Sequence, residues 1–440
     1  MTSFSSLSPS PSSSSSPNQS LIKILGWSAL STAVKFGQGV VVLKLLAVQL
    51  GPEGLGRVSN IMFLSWALDL LSGLAIFNGI NKYVAEFRDD PQRLQSLLGT
   101  ASAMILSVST VVALVLLIAT RRVSHWLGAP GEYLWLIKSI AIIQFAIAGA
   151  NLLPAMLKGA GDATGSSLSA MGGYLLGLIA FWLAIQHFGY RGAQLGLALM
   201  PAWSLIPTSI IFYRRIRLPI QWLKPTWNPP LARSLLRFSV MTFTSTLLGW
   251  KSFCMVRDLL TNYDGWVEVG LWEAMHKFSE NYVQIVTTFL SVYLLPLLSY
   301  TQHKPAIVRT IVRTLRFILP IAVGSGLLLW VLRDGLIRQQ FSPEFGALRD
   351  LCIWQLSADV FRIGSAVFRS FILSKALLPF YLLSELILFL LTLIFSHQFV
   401  PTQGVLGALQ AHLATHSIYF ILCLSVGAYY ARRIRLKDLV

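Results

Sequence analysis

The sequence predicts an all-α, polytopic membrane protein with twelve transmembrane helices in two pseudo-symmetric lobes of six. Three observations support this prediction. The 440-residue chain is 55% hydrophobic and only 12% charged, whereas ordinary soluble domains carry about 25% charged residues. Apolar runs of about the 20 residues that a membrane helix needs recur along the whole chain. Similar residues also recur at an almost constant spacing in its two halves.

The first apolar run, Trp27–Leu50, carries Lys35 near its middle and Lys44 towards its end. A charge at the centre of a membrane helix costs about 2.5–3.5 kcal/mol on insertion scales, so a simple anchor would not keep one. A similar run, Phe238–Leu260, again has a central cation, Lys251. Each half is therefore predicted to begin with a helix that offers positive charge to a cavity between the halves.

The remaining runs give the predicted order of the chain. Residues 1–20 are rich in Ser and Pro and predict a disordered tail. The twelve spans are predicted at about 22–49, 58–83, 96–120, 133–157, 165–187, 192–213, 236–260, 267–297, 309–332, 348–373, 377–397 and 403–430. They form an N-terminal lobe, a linker, a C-terminal lobe and a basic tail at 21–213, 214–235, 236–430 and 431–440.

Loop charge predicts the orientation of these spans. An even number of spans puts both termini on one side, and twenty Lys and Arg lie on that side against seven on the other. Because basic loops stay in the cytoplasm, both termini are predicted to be cytoplasmic. Most of the net charge of +17 lies in these short loops between apolar runs, which is the pattern of a membrane protein and not of a nucleic-acid-binding face. We therefore predict no nucleic-acid partner.

The two halves share a weak repeat. Four matches occur in the same order, at separations of 211 to 217 residues: Ser28 with Ser239, Gly54 with Gly270, Gln144 with Gln355, and Lys158 with Lys375. With six spans in each half, the repeats have the same orientation in the membrane. This arrangement is typical of transporters whose site lies between the halves.

Charged residues inside the spans are the candidate functional residues. They fall on the seventh, eighth and tenth spans, with single charges elsewhere: Lys251 and Asp258; Glu273, Lys277 and Glu280; Asp359, Arg362 and Arg369; and Asp69, Glu385 and Lys35. The helical period predicts that the charges within each of the three spans share one face of their helix. One interpretation is that they form internal ion pairs between helices. The other is that they line a water-filled cavity. Lys35, Lys251, Arg362 and Arg369 together favour a cationic vestibule for a phosphate-bearing substrate.

The carboxylates of this set are candidates for a coupling proton or for ion pairs, and the sequence does not select among Asp69, Glu280, Asp359 and Glu385. Metal chemistry is not expected. Glu273-x-x-His276 is half of a di-metal motif without a second copy. His412 and His416 share a helical face but lack further ligands nearby in the sequence. No cofactor and no metal are predicted.

Several stretches resemble Wzx-type polysaccharide flippases of the multidrug/oligosaccharidyl-lipid/polysaccharide superfamily. Among them are Lys44–Val48, Gly51–Gly56, Ile76–Ala85, Leu223–Trp227 and Ser291–Pro296. The resemblance extends over nearly all of the chain from 21 to 431. It implies two six-helix lobes that form a V around a central cavity. It also implies a bacterial inner-membrane protein that moves an undecaprenyl-pyrophosphate-linked oligosaccharide from the cytoplasmic to the periplasmic leaflet by alternating access.

Within that family, the resemblance is nearest to members that carry the trisaccharide of enterobacterial common antigen. It also implies contact with the bilayer, and a hypothetical association with the glycan polymerase and the chain-length regulator. The family pattern has lysines at Lys35, Lys44 and Lys82, a basic residue at Arg362, and acids at Asp359 and Glu385, whereas Asp69, Glu273 and Lys251 match no pattern. The substrate-binding candidates are Lys35, Lys82, Lys251, Arg362, Arg369 and Asn78.

Four alternatives are compatible with a membrane protein of this composition. The first is an O-antigen repeat-unit flippase of the same family. The second is a cation-coupled exporter of small soluble molecules, although such proteins favour acidic cavities and the central charges here are mainly positive. The third is a polymerase or ligase, which would need a longer periplasmic loop than the one from Arg333 to Arg349. A membrane scaffold would leave the charged residues unexplained.

Overall fold

The computed structural model describes residues 17–437 except 73–75, 88, 128–130, 132, 217–218, 291–293, 295–296, 299–302 and 376. Its regular secondary structure over these residues is helical, as the composition predicts. The α-helices are α1 (Pro17–Leu71), α2 (Phe77–Glu86), α3 (Pro91–Ile118), α4 (Thr120–Trp126), α5 (Leu134–Gly159), α6 (Ala163–Leu199), α7 (Leu205–Arg215), α8 (Pro229–Tyr263), α9 (Trp266–Phe289), α10 (Lys304–Gln340), α11 (Leu348–Ser374) and α12 (Leu378–Lys437). Short 3₁₀ helices lie at Met200–Ser204, Ile220–Leu223 and Pro343–Phe345.

Three of these helices each contain parts of two predicted spans. α1, α6 and α12 are interrupted at Gly51, Gly189 and Gly404, whose φ angles are 63°, 52° and 56°. Only glycine adopts this left-handed region without steric cost, so each glycine lets the chain leave one helix and start the next. Seven helical stretches of the described residues are long and apolar enough to cross a membrane, and three of them have 44, 53 and 51 residues. Each of those three is long enough to cross twice.

The ends of the chain differ from the predicted segments. α1 begins at Pro17, inside the segment predicted as a disordered tail, and most of that tail lies outside the described residues. α12 continues to Lys437, through most of the segment predicted as a basic tail. Composition places helix ends only to within a few residues.

The chain forms two compact units. Over the described residues, unit 1 consists of the chain up to Val42 and of Asn60–Thr246, and unit 2 consists of Leu43–Ser59 and of the chain from Leu247 onwards. The division falls inside α8, and the linker before α8 is bonded to unit 1. The Thr226 amide donates to the Gly99 carbonyl at 3.2 Å.

The internal repeat predicted from sequence has a counterpart in the turns at the two late interruptions. Gly189 and Gly404 have nearly equal backbone angles, with ψ of −127° and −131°. Three residues after each lies a glycine with no room for a side chain. A Cβ at Gly192 would lie 1.8 Å from the carbonyl oxygen of Ala184, and one at Gly407 would lie 2.2 Å from that of Phe399. Both turns therefore close on the backbone eight residues earlier, at equivalent positions of the two halves.

Within unit 2, the start of α9 passes very close to the backbone of α1 at Pro52, and this close packing can be tested by substitution. A Cβ at Gly270, near the start of α9, would lie 1.8 Å from the carbonyl oxygen of Pro52. We expect Gly270→Ala to force these backbones apart and to destabilise the protein by about 1–3 kcal/mol, which is typical of overpacking. A lowered thermal unfolding midpoint of the purified protein would show this effect.

Gly324→Ala is the matched control, because a Cβ at Gly324, in α10, meets nothing within 4 Å. Alanine is the better helix former, so this variant should unfold at or above the wild-type midpoint. Equal midpoints for Gly270→Ala and the wild type would contradict the close crossing.

Candidate functional site

Asp359 is the centre of a buried polar cluster in unit 2. Its side chain is fully buried on α11. The hydroxyl groups of Ser279 and Tyr282, both on α9, donate to Oδ2, the latter at 2.9 Å. The Gln355 amide donates to Oδ1 at 3.3 Å. Three donors from two helices therefore solvate a carboxylate that water does not reach.

Arg362 joins this cluster to a second carboxylate. Its Nη2 donates to Oε2 of Glu280 at 2.7 Å, and its Nη1 lies 3.8 Å from Oδ1 of Asp359. The planar guanidinium group can face two carboxylates at once, which the ammonium group of lysine cannot do with the same geometry. The three candidates Glu280, Asp359 and Arg362 therefore form one ionic network between α9 and α11.

Two helical turns along α11 from Arg362, on the same face, a second ion pair connects α11 with α12. Nη2 of Arg369 lies 3.4 Å from Oε1 of Glu385. The Glu385 side chain is 6% exposed and that of Arg369 is 40% exposed. All four of the charged candidates on α11 and α12 are thus partners of an opposite charge, as the ion-pair interpretation of the sequence requires.

On α8 and α9, two carboxylates that share a predicted helical face with a lysine have other ion-pair partners in the structure. Glu273 and Lys277 do pair, at 3.7 Å, but Glu280 on the same helix contacts Arg362 instead. Asp258, which the sequence placed on a face with Lys251, pairs with its neighbour Arg257. In both cases an arginine outside the predicted face lies nearer to the carboxylate than the lysine on that face. Helical periodicity along one helix does not reveal such a partner.

Three histidines also meet in unit 2. The ring centroids of His276 and His412 are 6.5 Å apart, and those of His412 and His416 are 4.5 Å apart. His276 lies 3.9 Å from Glu280. His276 joins the other two only through the tertiary structure. Over the described residues, no group of three or more potential ligands is arranged to hold a metal ion.

Unit 1 has its own polar cluster around Asp69. Nδ2 of Asn151, on α5, donates to Oδ1 of Asp69 at 2.6 Å. Lys35 attracts the Asp69 carboxylate electrostatically. Gln144, fully buried on α5, donates to the carbonyl oxygen of Leu68 at 3.4 Å. The cluster connects the second predicted span with the first and the fourth.

The two clusters have the same construction. Asn151 and Asp69 are separated by 82 residues, and so are Arg362 and Glu280. The glutamines repeat this pattern, since Gln144 bonds to Leu68 and Gln355 bonds to Ser279, each 76 residues away. A duplicated ancestor explains two pairs of equal separation at equivalent helices. The difference between the halves is the donor, an amide in unit 1 and a guanidinium group in unit 2.

The remaining candidates differ in their surroundings. Lys35, on α1, and Lys251, on α8, are exposed side chains, and neither forms an ion pair within 4 Å with a carboxylate of the described residues. Lys82 is exposed on α2, 4.0 Å from Glu86 and beside the Tyr83 ring. The backbone of Asn78 lies in α2, but its side chain is outside the described part of the structure.

Sequence reasoning missed Asn151, Ser279 and Tyr282, which bind the candidate carboxylates directly. Neutral polar residues are common even in apolar spans, so their presence in the sequence does not mark them as candidate site residues. One signal was available for Asn151, because it precedes Arg362 by the same 211 residues that separate Gln144 from Gln355.

Comparison with known proteins gives a consistent result. Residues 21–302 match the family described as polysaccharide biosynthesis protein. A curated relative, the lipid III flippase of Escherichia coli (strain K12), is 42% identical over 414 residues, which cover 94% of this chain and 100% of the relative.

Solved structures share the fold at low sequence identity. The lipid II flippase MurJ in an inward closed conformation has a TM-score of 0.69 at 12% identity, covering 92% of this chain and 87% of MurJ. A multidrug resistance MATE family transporter of the MOP superfamily, in an inward-facing conformation, has a TM-score of 0.68 at 14% identity, with 93% and 95% covered. The predicted twelve-helix, two-lobe fold class is confirmed by these likenesses.

Proposed function

The chain belongs to the polysaccharide biosynthesis protein family, and we propose that it is a flippase for a lipid-linked oligosaccharide. The observation that carries this proposal is the 42% identity to a lipid III flippase over that relative's whole length. We further propose the same substrate class, an undecaprenyl-pyrophosphate-linked glycan, most specifically the common antigen trisaccharide. The protein is then a transporter that changes no covalent bond.

The physical task explains why membrane helices keep charged residues. The lipid tail of the substrate can stay in the bilayer, but its pyrophosphate and sugars must cross about 30 Å of hydrocarbon. Cations that replace part of the phosphate hydration lower this barrier. Lys35 and Lys251 are exposed at membrane depth, so they are suited to contact phosphate directly. Arg362 and Arg369 support the same path while they balance buried carboxylates.

We propose that the chain is a multi-pass protein of the bacterial inner membrane with both termini in the cytoplasm, on the basis of its loop charge. Movement of the lobes 21–213 and 236–430 would expose the site alternately to each side, which removes the need for a continuous pore. Association with the glycan polymerase and the chain-length regulator is part of this proposal.

Complementation of cells that lack the common-antigen flippase tests the function. We expect the wild-type chain to restore surface antigen and to remove lipid-linked intermediate from the inner face. Lys35→Ala should lower the antigen about tenfold or more at equal membrane level, because a charge-assisted contact contributes about 1.5–3 kcal/mol. Lys224→Ala, an exposed linker lysine, is the matched control and should be neutral.

Failure of the wild-type chain to restore antigen would contradict the common-antigen assignment, and complementation of an O-antigen flippase deletion would then identify another glycan. Export of a small cationic drug without any glycolipid transport would contradict the flippase proposal altogether. Full activity of Lys35→Ala would mean that this lysine does not carry substrate.

A further inference from the structure

We propose that Asp69 is the carboxylate at which the protein binds and releases a proton during transport, and that Asn151 is the residue that positions it. This inference rests on the proposed flippase function and selects one of the four candidate carboxylates. The observation behind it is the difference between the two otherwise equivalent clusters, where an amide in unit 1 stands in the place of a guanidinium group in unit 2.

The other three carboxylates each face an arginine. Glu280 lies 2.7 Å and Asp359 lies 3.8 Å from Arg362, and Glu385 lies 3.4 Å from Arg369. Arginine keeps its charge under all physiological conditions. Glu385 has Arg369 as its opposite charge, so its protonation would leave a guanidinium group without a counter-charge at membrane depth, which is unfavourable. Glu280 and Asp359 share Arg362, and each also accepts hydrogen bonds that favour its ionised form. Arg362 donates to Glu280, and Ser279, Tyr282 and Gln355 donate to Asp359. These pairs therefore remain ionised and hold helices together.

Asp69 does not have this restriction, because its hydrogen-bond partner is neutral. The Asn151 amide donates to Asp69 at 2.6 Å when the carboxylate is ionised. When Asp69 carries a proton, the same Nδ2 group still donates to its carbonyl oxygen. The hydrogen bond is thus kept in both states, and no buried charge is created when the proton binds.

The surroundings connect this proton to the substrate. Among the described residues, Lys35 on α1 and Tyr174 on α6 are the titratable side chains that act on Asp69, while Gln144 on α5 is neutral. Lys35 is exposed and can turn to a phosphate group. A phosphate at Lys35 offsets the positive charge that stabilises the ionised Asp69, so it favours proton uptake there. Phosphate and proton are therefore expected to bind together.

Infrared difference spectroscopy of the purified full-length protein tests the proposal without any glycolipid. Across a pH series that stays above the range in which exposed carboxylates take up protons, we expect the wild type to show a carboxylic-acid C=O band that grows as the pH falls. Asp69→Asn should lose this band. Asp350→Asn, an exposed aspartate on α11, is the matched control and should keep it. A band of unchanged size in Asp69→Asn, or no such band in the wild type, would overturn the proposal.

Exchange of the two donors tests the role of the partner residue. Asn151→Arg should suppress the band, because it gives Asp69 a permanent cation as in unit 2. Arg362→Asn should add a second band, from Glu280. Inorganic pyrophosphate should enlarge the wild-type band and leave that of Lys35→Gln unchanged. Loss of the band in Asp69→Asn alone, with no effect of Asn151→Arg in a folded protein, would overturn the role of Asn151.

These results are independent of the complementation assay. A band that depends on Asp69 in a protein that does not restore common antigen would contradict the proposed substrate only. Restored antigen without the band would contradict only the proton site.

Discussion

Arg362→Ala should reduce glycolipid transport about ten- to a hundredfold at equal membrane level. The substitution removes a guanidinium group that lies 2.7 Å from Glu280 and 3.8 Å from Asp359, so two carboxylates lose their shared cation. The contact with Glu280 is a charge-assisted hydrogen bond, which contributes about 1.5–3 kcal/mol, and the contact with Asp359 is an ion pair without a hydrogen bond. Surface common antigen and inner-face intermediate in the complementation strain measure the effect.

Two further variants separate charge from geometry at this position. Arg362→Lys keeps the charge but can approach only one carboxylate closely, so we expect it to restore transport partly. Arg349→Ala is the control, because Arg349 lies on the same helix in an exposed pair with Asp334, at 3.2 Å. Exposed pairs contribute little, so this variant should be neutral. Normal transport by Arg362→Ala would show that the network is dispensable.

Asp359→Ala should have the largest effect on stability, a loss of about 3–5 kcal/mol. The side chain is fully buried, and its removal leaves the donors of Ser279, Tyr282 and Gln355 without their acceptor. It also removes one of the two negative charges near Arg362. A strongly lowered thermal unfolding midpoint in detergent and a low membrane level would be the observed result.

Asp359→Asn provides a graded comparison for this prediction. It keeps the shape and one acceptor oxygen but introduces an NH₂ group opposite hydroxyl donors, so its midpoint should fall between those of the wild type and Asp359→Ala. Asp350→Ala, at an exposed position of the same helix, should unfold like the wild type. An unchanged midpoint in Asp359→Ala would contradict the buried network.

Much of the fold could be predicted because membrane insertion is a local property of the chain. A run of about 20 apolar residues is enough to specify a span, whatever the rest of the protein does. Over the described residues, the predicted spans accordingly fall mainly on helices. The charged spans predicted at 236–260 and 267–297 coincide with α8 and α9, which are helical but are not among the seven stretches apolar enough to cross a membrane. Gly51 and Gly189 interrupt their helices in gaps between predicted spans, whereas Gly404 lies just inside the span predicted at 403–430. The spacing of matches between the halves indicated the duplication.

The sequence by itself also determined which helices carry charge, since a charged residue in an apolar run is conspicuous. It could not determine the partners, because Arg362 with Glu280 and Asn151 with Asp69 are each 82 residues apart and meet only when the helices pack. Helical periodicity orders residues along one helix, and it grouped Glu280 with Glu273 and Lys277 for that reason. Which helix faces which is set by packing over the whole unit. Only the tertiary structure therefore decided that one half holds its carboxylate with a fixed cation and the other with a neutral amide.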